Sequence, residues 1–111
     1  MGKTLCVTLG QHSQAGHKGI NQDFHGAMLP LGSQRTIKGI AVALADGIGS
    51  SAVSQEASAA AVRGFLDDYY ATSEAWSVRR SAQRVLGATN AWLHAQTLRS
   101  HARFDKDRGY V

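Results

Sequence analysis

The sequence has one cysteine, Cys6, among its 111 residues, and it has no long apolar run. A single cysteine excludes a disulfide within the chain and is typical of proteins that work in a reducing compartment. No apolar stretch approaches the ~20 residues that a membrane-spanning helix needs, and no secretory hydrophobic region follows the first residues. We therefore predict a cytoplasmic chain without a membrane segment.

Composition limits the class of protein. Hydrophobic residues make up 43% of the chain and charged residues 18%, which indicates a globular chain and not a disordered one. The length fits one small domain or a part of a larger one. The formal net charge of +4 permits an anionic partner without requiring one.

Three segments of the first half have the residue content of strands. Residues 4–9, 24–29 and 37–45 are rich in strand-forming or small apolar residues. Residues 11–19 show no periodicity of either kind and are expected to form an exposed loop. Residues 30–33, Pro-Leu-Gly-Ser, are expected to form the turn that joins the second strand to the third.

Two aspartates lie at the ends of these predicted strands. Asp23 directly precedes the second strand and Asp46 ends the third, so antiparallel pairing would bring them to the same edge of the sheet. Two carboxylates at one edge repel each other unless a cation lies between them. Gly47 and Gly49, which follow Asp46, can adopt positive φ and expose backbone groups. This pattern predicts a ligand at that edge.

A first helix is predicted over residues 52–70, with Ser50 or Ser51 as its N-cap. An apolar stripe that contains several small residues runs along one side of it at helical spacing, which favours close packing against a sheet. These residues are Val53, Ala57, Ala60, Ala61, Gly64, Phe65 and Tyr69.

A second helix is predicted from Ser77, with Arg79, Arg80 and Arg84 on its outer, solvated face. Beyond residue 100, charged residues give way to Tyr110-Val111, which is typical of a loop that enters a further strand. Three strands with an unfinished fourth leave an exposed sheet edge. We therefore expect an α+β chain that is part of a larger domain, with a compact three-stranded α+β domain as the alternative.

Three short motifs occur in order along the chain: Lys18-Gly-Ile-Asn-Gln22-Asp23, Ala45-Asp46-Gly47-Ile48-Gly49 and Glu56-Ala57-Ser58. Their order and spacing resemble the N-terminal part of metal-dependent protein serine/threonine phosphatases of the 2C type, the PP2C or PPM family. The resemblance covers residues 16–111, and the Asn-Gln-Asp form also resembles bacterial phosphatases that are joined to a kinase domain. Residues 1–111 would then be the N-terminal portion of a phosphatase domain whose C-terminal portion is absent.

The resemblance implies an α-β-β-α sandwich that binds two divalent cations, Mn²⁺ or Mg²⁺, at one end. Asp46 matches the carboxylate that bridges the two cations, the carbonyl of Gly47 matches a backbone ligand, and Asp23 matches an acidic residue that holds metal-bound water. Oxygen ligands of this kind suit hard cations. The implied reaction is hydrolysis of phosphoserine or phosphothreonine in a protein substrate by a metal-activated water.

The motifs depart from the family pattern at two positions. Gln22 stands where the family usually has Glu, which removes a negative charge near the metals. Lys18 stands where many members have an arginine that holds the substrate phosphate, and His17 is a further candidate for that role. Since the family draws further metal-binding aspartates from its C-terminal half, the intact domain is expected to be an enzyme and residues 1–111 alone to be inactive.

Two other classes of function fit parts of the sequence. Gly47-x-Gly49-x-x-Ala52 also fits a dinucleotide-binding fingerprint, with Asp67 or Asp68 at the distance of a ribose ligand. Asp46 would then face the pyrophosphate without a compensating charge, which opposes this alternative. A basic, non-enzymatic interaction module is the third class, but no aromatic platform accompanies the arginines, so no nucleic-acid partner is expected.

Three histidines, His12, His17 and His25, also lie close together in the sequence. Their spacing matches no familiar zinc pattern, and no second cysteine supports one. We expect them to be surface residues and not metal ligands.

Overall fold

A computed structural model describes residues 7–16, 21–47 and 53–99 of the chain. The elements within these ranges are strand β1 (Asp23–Met28), helix α1 (Ser33–Lys38), strand β2 (Ala41–Asp46), helix α2 (Ser54–Ala71) and helix α3 (Val78–Arg99). The strands form a two-stranded antiparallel sheet. The coarse prediction of an α+β chain is confirmed.

One face of the sheet is covered by α2 and the other is open. Along β2, Val42, Leu44 and Asp46 are exposed while the alanines between them are half-buried. On the covered face, a Cβ atom at Gly26 would lie 3.1 Å from side-chain carbons of Val62 and of Leu66. The glycine of β1 and the alanines of β2 therefore let the helix approach the strands closely.

Helix α2 is the centre of the fold because it contacts both strands and also α3. The buried apolar side chains come from the two long helices and are Ala57, Val62, Leu66, Tyr69, Val85 and Leu93. The predicted stripe on α2 is correct only in part. Ala57 and Tyr69 are buried, but Ser54 and Ser58 are buried as well and Gly64 is not. The polar serines are inside because they lie against the corner where β1 begins and β2 ends.

The connection between the strands differs from the prediction. Instead of a turn at residues 30–33 and a strand from residue 37, the chain forms α1, and β2 begins at Ala41. Gly32 and Gly39 flank this helix with φ of 66° and 77°, values that favour glycine. The backbone N–H of Gly39 donates to the carbonyl of Arg35 at 3.0 Å and so satisfies a carbonyl of the last turn of α1.

Lys38 anchors α1 beneath the loop between the long helices. Its side chain is only 3% exposed, and its Nζ donates to Ser73 O at 2.8 Å, Trp76 O at 3.1 Å and Ser81 Oγ at 2.6 Å. The carbonyl of Lys38 in turn accepts a hydrogen bond from Tyr69 Oη at 2.7 Å. Three acceptors match the three protons of the ammonium group, so the buried charge is fully hydrogen-bonded.

Three further predictions concern the ends of elements. Residues 7–9 are not a strand, and Val7 and Leu9 are exposed, so the predicted first strand is wrong for these residues, while residues 4–6 lie outside the described ranges. The predicted N-caps Ser50 and Ser51 and the predicted strand at residues 110–111 also lie outside them.

Neither long helix, α2 or α3, contains a stretch sufficiently long and apolar to cross a membrane.

Candidate functional site

Asp23 and Asp46 lie directly opposite each other at one end of the sheet, as predicted. Gln22 and Gly47 are the next pair of opposite residues, and the N–H of Gly47 donates to the carbonyl of Gln22 at 3.2 Å. Hydrogen-bonded and non-hydrogen-bonded pairs alternate along antiparallel strands. The two aspartates therefore form a non-hydrogen-bonded pair, in which opposite Cβ atoms stand about 4.5–5.5 Å apart. Both residues are exposed on the open face of the sheet. The carboxylates are thus side by side, facing solvent.

Gly47 is required at the end of β2 for reasons of space. A Cβ atom at this position would lie 2.7 Å from Ser54 Cβ and 2.8 Å from the carbonyl oxygens of Gln22 and Ser54. Gly47 does not use the freedom of a glycine to adopt positive φ, since the described glycines with positive φ are Gly16, Gly32 and Gly39. What the site needs from Gly47 is the missing side chain, which lets β2 pass the first turn of α2.

Gln22 is held from two sides through its carbonyl oxygen. Besides the bond from Gly47, it accepts a hydrogen bond from Ser58 Oγ at 2.7 Å, and Ser58 is buried. The side-chain oxygen Oε1 of Gln22 is also shielded from solvent. Gln22 therefore ties the start of β1 to α2, and its side-chain oxygen is withdrawn from the solvent-exposed edge where the aspartates lie.

Ser58 is the functional neighbour that the sequence reasoning missed. In the sequence it is the last residue of the Glu56-Ala57-Ser58 motif, to which no role is assigned. The signal that could have identified it is the presence of two serines, Ser54 and Ser58, one helical turn apart on the buried side of α2. Buried polar side chains usually form hydrogen bonds to neighbouring backbone groups. For Ser58 this group is the carbonyl of Gln22, which directly precedes Asp23.

The segment that precedes β1 is tied to the same end of the sheet. Asn21 Oδ1 accepts the N–H of Asp23 at 3.1 Å, and Asn21 Nδ2 donates to Ser13 Oγ at 2.6 Å. The amide of Asn21 thus fixes the backbone of the first aspartate. His25, two residues further along β1 and on the same face as Asp23, hydrogen-bonds through Nε2 to Gln11 Oε1 at 2.6 Å.

The histidines do not form a cluster in the part of the chain that the structure describes. His12 pairs with Gln14 and His25 with Gln11, while His17 lies outside the described ranges. Within residues 7–16, 21–47 and 53–99, no group of three or more His, Cys, Asp or Glu side chains is placed to hold a metal ion. The described carboxylates at the sheet end supply two such side chains, Asp23 and Asp46.

The remaining predicted site residues fall into two groups. Lys18, Gly49 and Ala52 are outside the described ranges. Asp67 and Asp68 are exposed on α2, more than three turns from its N-terminus at Ser54, so they lie about 20 Å along the helix from Gly47. The strands on either side of α1 are antiparallel, whereas a dinucleotide-binding unit has parallel strands.

An apolar surface adjoins the pair of aspartates on the open face. Val42 is 64% exposed and Leu44 is 74% exposed, and the register places Leu44 opposite His25 and Val42 opposite Ala27. Side chains of this size are normally buried in a domain core. Chemically, this end of the sheet offers two carboxylates for a hard cation beside a surface suited to a further layer of structure.

Comparison of the chain with protein-family models, with curated protein sequences and with solved structures found no match.

Proposed function

We propose that residues 1–111 are the N-terminal portion of a PP2C-type protein serine/threonine phosphatase domain in the cytoplasm. The observation that carries this proposal is the side-by-side placement of Asp23 and Asp46, which the motif resemblance assigns to metal binding. Like charges directly opposite each other on neighbouring strands repel, so this placement favours the binding of a cation. A cation between them would convert this repulsion into attraction.

The described residues fit a site for Mn²⁺ or Mg²⁺. Exposed carboxylates are the oxygen ligands that these cations prefer, and they are held at the spacing of a non-hydrogen-bonded pair. Asp46 would bridge two cations, Asp23 would hold coordinated water, and Gly47 would offer its carbonyl. When bound, such cations lower the pKa of water and supply a nucleophile for phosphoester hydrolysis.

The residues around the pair position it. Asn21 holds the amide of Asp23, while Gly47 and Ser58 hold the carbonyl of Gln22, so the backbone on both sides of the carboxylates is restrained. Restraint of this kind keeps ligand atoms in place before the metal arrives. Lys18 would hold the phosphate of the protein substrate as a single point charge, without the two-pronged contact of an arginine.

The open face supports the proposal of an α-β-β-α sandwich. Val42 and Leu44 would be covered by a second sheet, as the inner faces of two packed sheets cover each other. Since a hard cation takes about six oxygen ligands, two carboxylates leave most positions to water and to the rest of the domain. The 111-residue chain alone would therefore bind metal weakly and lack turnover.

The test uses the full-length gene product that contains these residues. We expect it to hydrolyse an aryl phosphate and a phosphoserine peptide with Mn²⁺ or Mg²⁺ and to lose this activity in excess chelator. Asp46→Asn should abolish turnover because a neutral amide cannot bridge two dications. Asp67→Asn, which removes an exposed carboxylate from α2, is the matched control and should leave turnover unchanged. Undiminished hydrolysis in chelator, or by Asp46→Asn, would overturn the proposal.

A further inference from the structure

The first half of α3 carries an arginine-rich groove. The helix contains four arginines and no aspartate or glutamate. The groove has a volume of about 900 Å³ and is lined by Trp76, Arg80, Gln83, Arg84, Gly87 and Ala88. It begins in the loop that follows α2, whereas Asp23 and Asp46 lie beside the N-terminus of the same helix. The length of α2, 18 residues or about 27 Å, therefore lies between the aspartates and the end of the groove at Trp76.

Trp76 and Arg80 are held in place at one end of the groove. The guanidinium of Arg80 lies 4.3 Å from the centroid of the Trp76 ring, a cation–π contact. The backbone carbonyl of Trp76 accepts a hydrogen bond from the buried Lys38. The backbone N–H of Trp76 donates to Ser73 O at 3.1 Å. The N–H of Arg80 donates to Ser77 Oγ at 3.1 Å, which caps α3. A cation–π contact uses none of the guanidinium N–H groups as conventional hydrogen-bond donors, so these groups can still bind an anion.

No carboxylate in the part of the chain that the structure describes neutralises the positive charges of the groove. Among the described residues, no ion pair is found for Arg80 or Arg84. Glu74, the acidic residue that precedes the groove, accepts a hydrogen bond from Ser33 Oγ at 3.0 Å and is thus directed toward α1. Asp68 lines a separate groove together with Trp92. The arginines therefore present their charge to solvent.

We propose that this groove binds an acidic peptide segment of a partner protein, in an extended conformation with acidic residues at alternate positions. Arg80 and Arg84 are four residues apart, which separates them by about 6 Å along the helix. Alternate residues of an extended chain are about 6.6 Å apart and point to the same side. Two carboxylates of the peptide can therefore each meet one guanidinium. Gly87 and Ala88 leave room for the peptide backbone beyond them.

The groove does not suit a nucleic acid. Single-stranded nucleic acids bind to aromatic side chains on which bases stack, and the ring of Trp76 is already covered by Arg80. Proteins that hold a duplex commonly contact six to ten phosphates, and this groove has two arginines. The proposal does not depend on phosphatase activity, since none of the groove residues lies at the sheet end.

The experiment measures fluorescence anisotropy of labelled probes with the chain of residues 1–111. The probe is a peptide with glutamates at alternate positions, compared with a peptide of the same composition in which the glutamates are contiguous, with a glutamine version, and with a single-stranded oligonucleotide. We expect the alternating peptide to bind best and the glutamine version not to bind. An unmeasurable affinity for the alternating peptide, or tighter binding of the oligonucleotide, would overturn the proposal.

Two double variants separate the groove from general positive charge. Arg80→Gln with Arg84→Gln should weaken binding at least about tenfold, since each guanidinium forms a charge-assisted hydrogen bond. Arg79→Gln with Arg99→Gln removes the same charge from the same helix outside the groove lining and should change affinity less than about twofold. Equal losses in the two variants would show non-specific attraction and reject the groove. Circular dichroism establishes that both variants are folded, as expected for exposed side chains.

Discussion

Gly47 lies so close to Ser54 that a Cβ atom on the glycine would stand 2.7 Å from the serine Cβ. This contact joins the end of β2, which carries Asp46, to the first turn of α2. The position of the second aspartate therefore depends on a residue that has no side chain.

Gly47→Ala should destabilise the chain by about 1–3 kcal/mol, because backbone oxygens on two sides leave no room for the methyl group. The measurement is urea unfolding of the 111-residue chain. Gly64→Ala is the control, since a Cβ atom there meets nothing within 4 Å and the residue lies within α2. That change should stabilise the chain by about 0.5–1 kcal/mol. An equal effect of the two substitutions would contradict the close contact at Gly47.

Asp46→Asn should raise the stability of the chain by about 0.2–1 kcal/mol in the absence of metal, because it removes the repulsion from Asp23. In the wild type, Mn²⁺ should raise the melting temperature, since a ligand that binds only the folded state stabilises it. The variant should lose that rise. Thermal unfolding with and without Mn²⁺ measures both effects, and Asp67→Asn should behave like the wild type. A Mn²⁺-dependent rise that survives in Asp46→Asn would remove Asp46 from the metal site.

Lys38→Met should destabilise the chain by about 2–4 kcal/mol. The substitution leaves Ser73 O, Trp76 O and Ser81 Oγ without the donor that they share in the wild type. Ser81→Ala should cost less because one acceptor is removed together with its hydrogen bond. Denaturant unfolding of the two single variants and the double variant gives the coupling energy, which should exceed about 0.5 kcal/mol. Additive effects would mean that the 2.6 Å contact contributes nothing.

Burial raises the pKa of the Tyr69 hydroxyl above its ordinary value of 10.0. The folded state therefore keeps a proton that the unfolded state loses as the pH rises above that value. The stabilisation is fully present below pH 10.0 and declines as the pH rises through the folded pKa. Tyr69→Phe should cost about 1 kcal/mol near neutral pH, through loss of the hydrogen bond to Lys38 O. Unfolding measured between about pH 8 and pH 11 should show that this difference shrinks at the alkaline end, and a constant difference would contradict the assignment.

Leu44→Gln tests whether the open face is an inner face of a sandwich. In the 111-residue chain Leu44 is 74% exposed, so the substitution should change stability by less than about 0.5 kcal/mol. In the complete phosphatase domain that we propose, the same change should cost about 2 kcal/mol, since a covered leucine would be lost. Leu31→Gln, at a position that is 82% exposed outside the sheet, is the control and should have a small effect in both proteins. A small effect of Leu44→Gln in both proteins would contradict the proposal that a second sheet covers this face.

The sequence alone was sufficient to bring Asp23 and Asp46 together. Strand residues alternate between faces with a period of two, and consecutive strands with a short connection pair in antiparallel fashion. The strand boundaries were within a residue for β1, and the two long helices were located by their apolar spacing. These are local patterns, and each depends on residues that are close together in the chain.

Tertiary structure decided the features that rest on distant residues. α1 was not predicted because its place depends on Lys38, whose acceptors lie 35 to 43 residues away. The burial of Ser58 depends on Gln22, 36 residues earlier, and the need for glycine at position 47 depends on Ser54, which belongs to a different element. The periodicity of a helix or strand predicts the face on which a side chain lies but not the group that it contacts there. Close packing and hydrogen-bond satisfaction between separate elements supply that information.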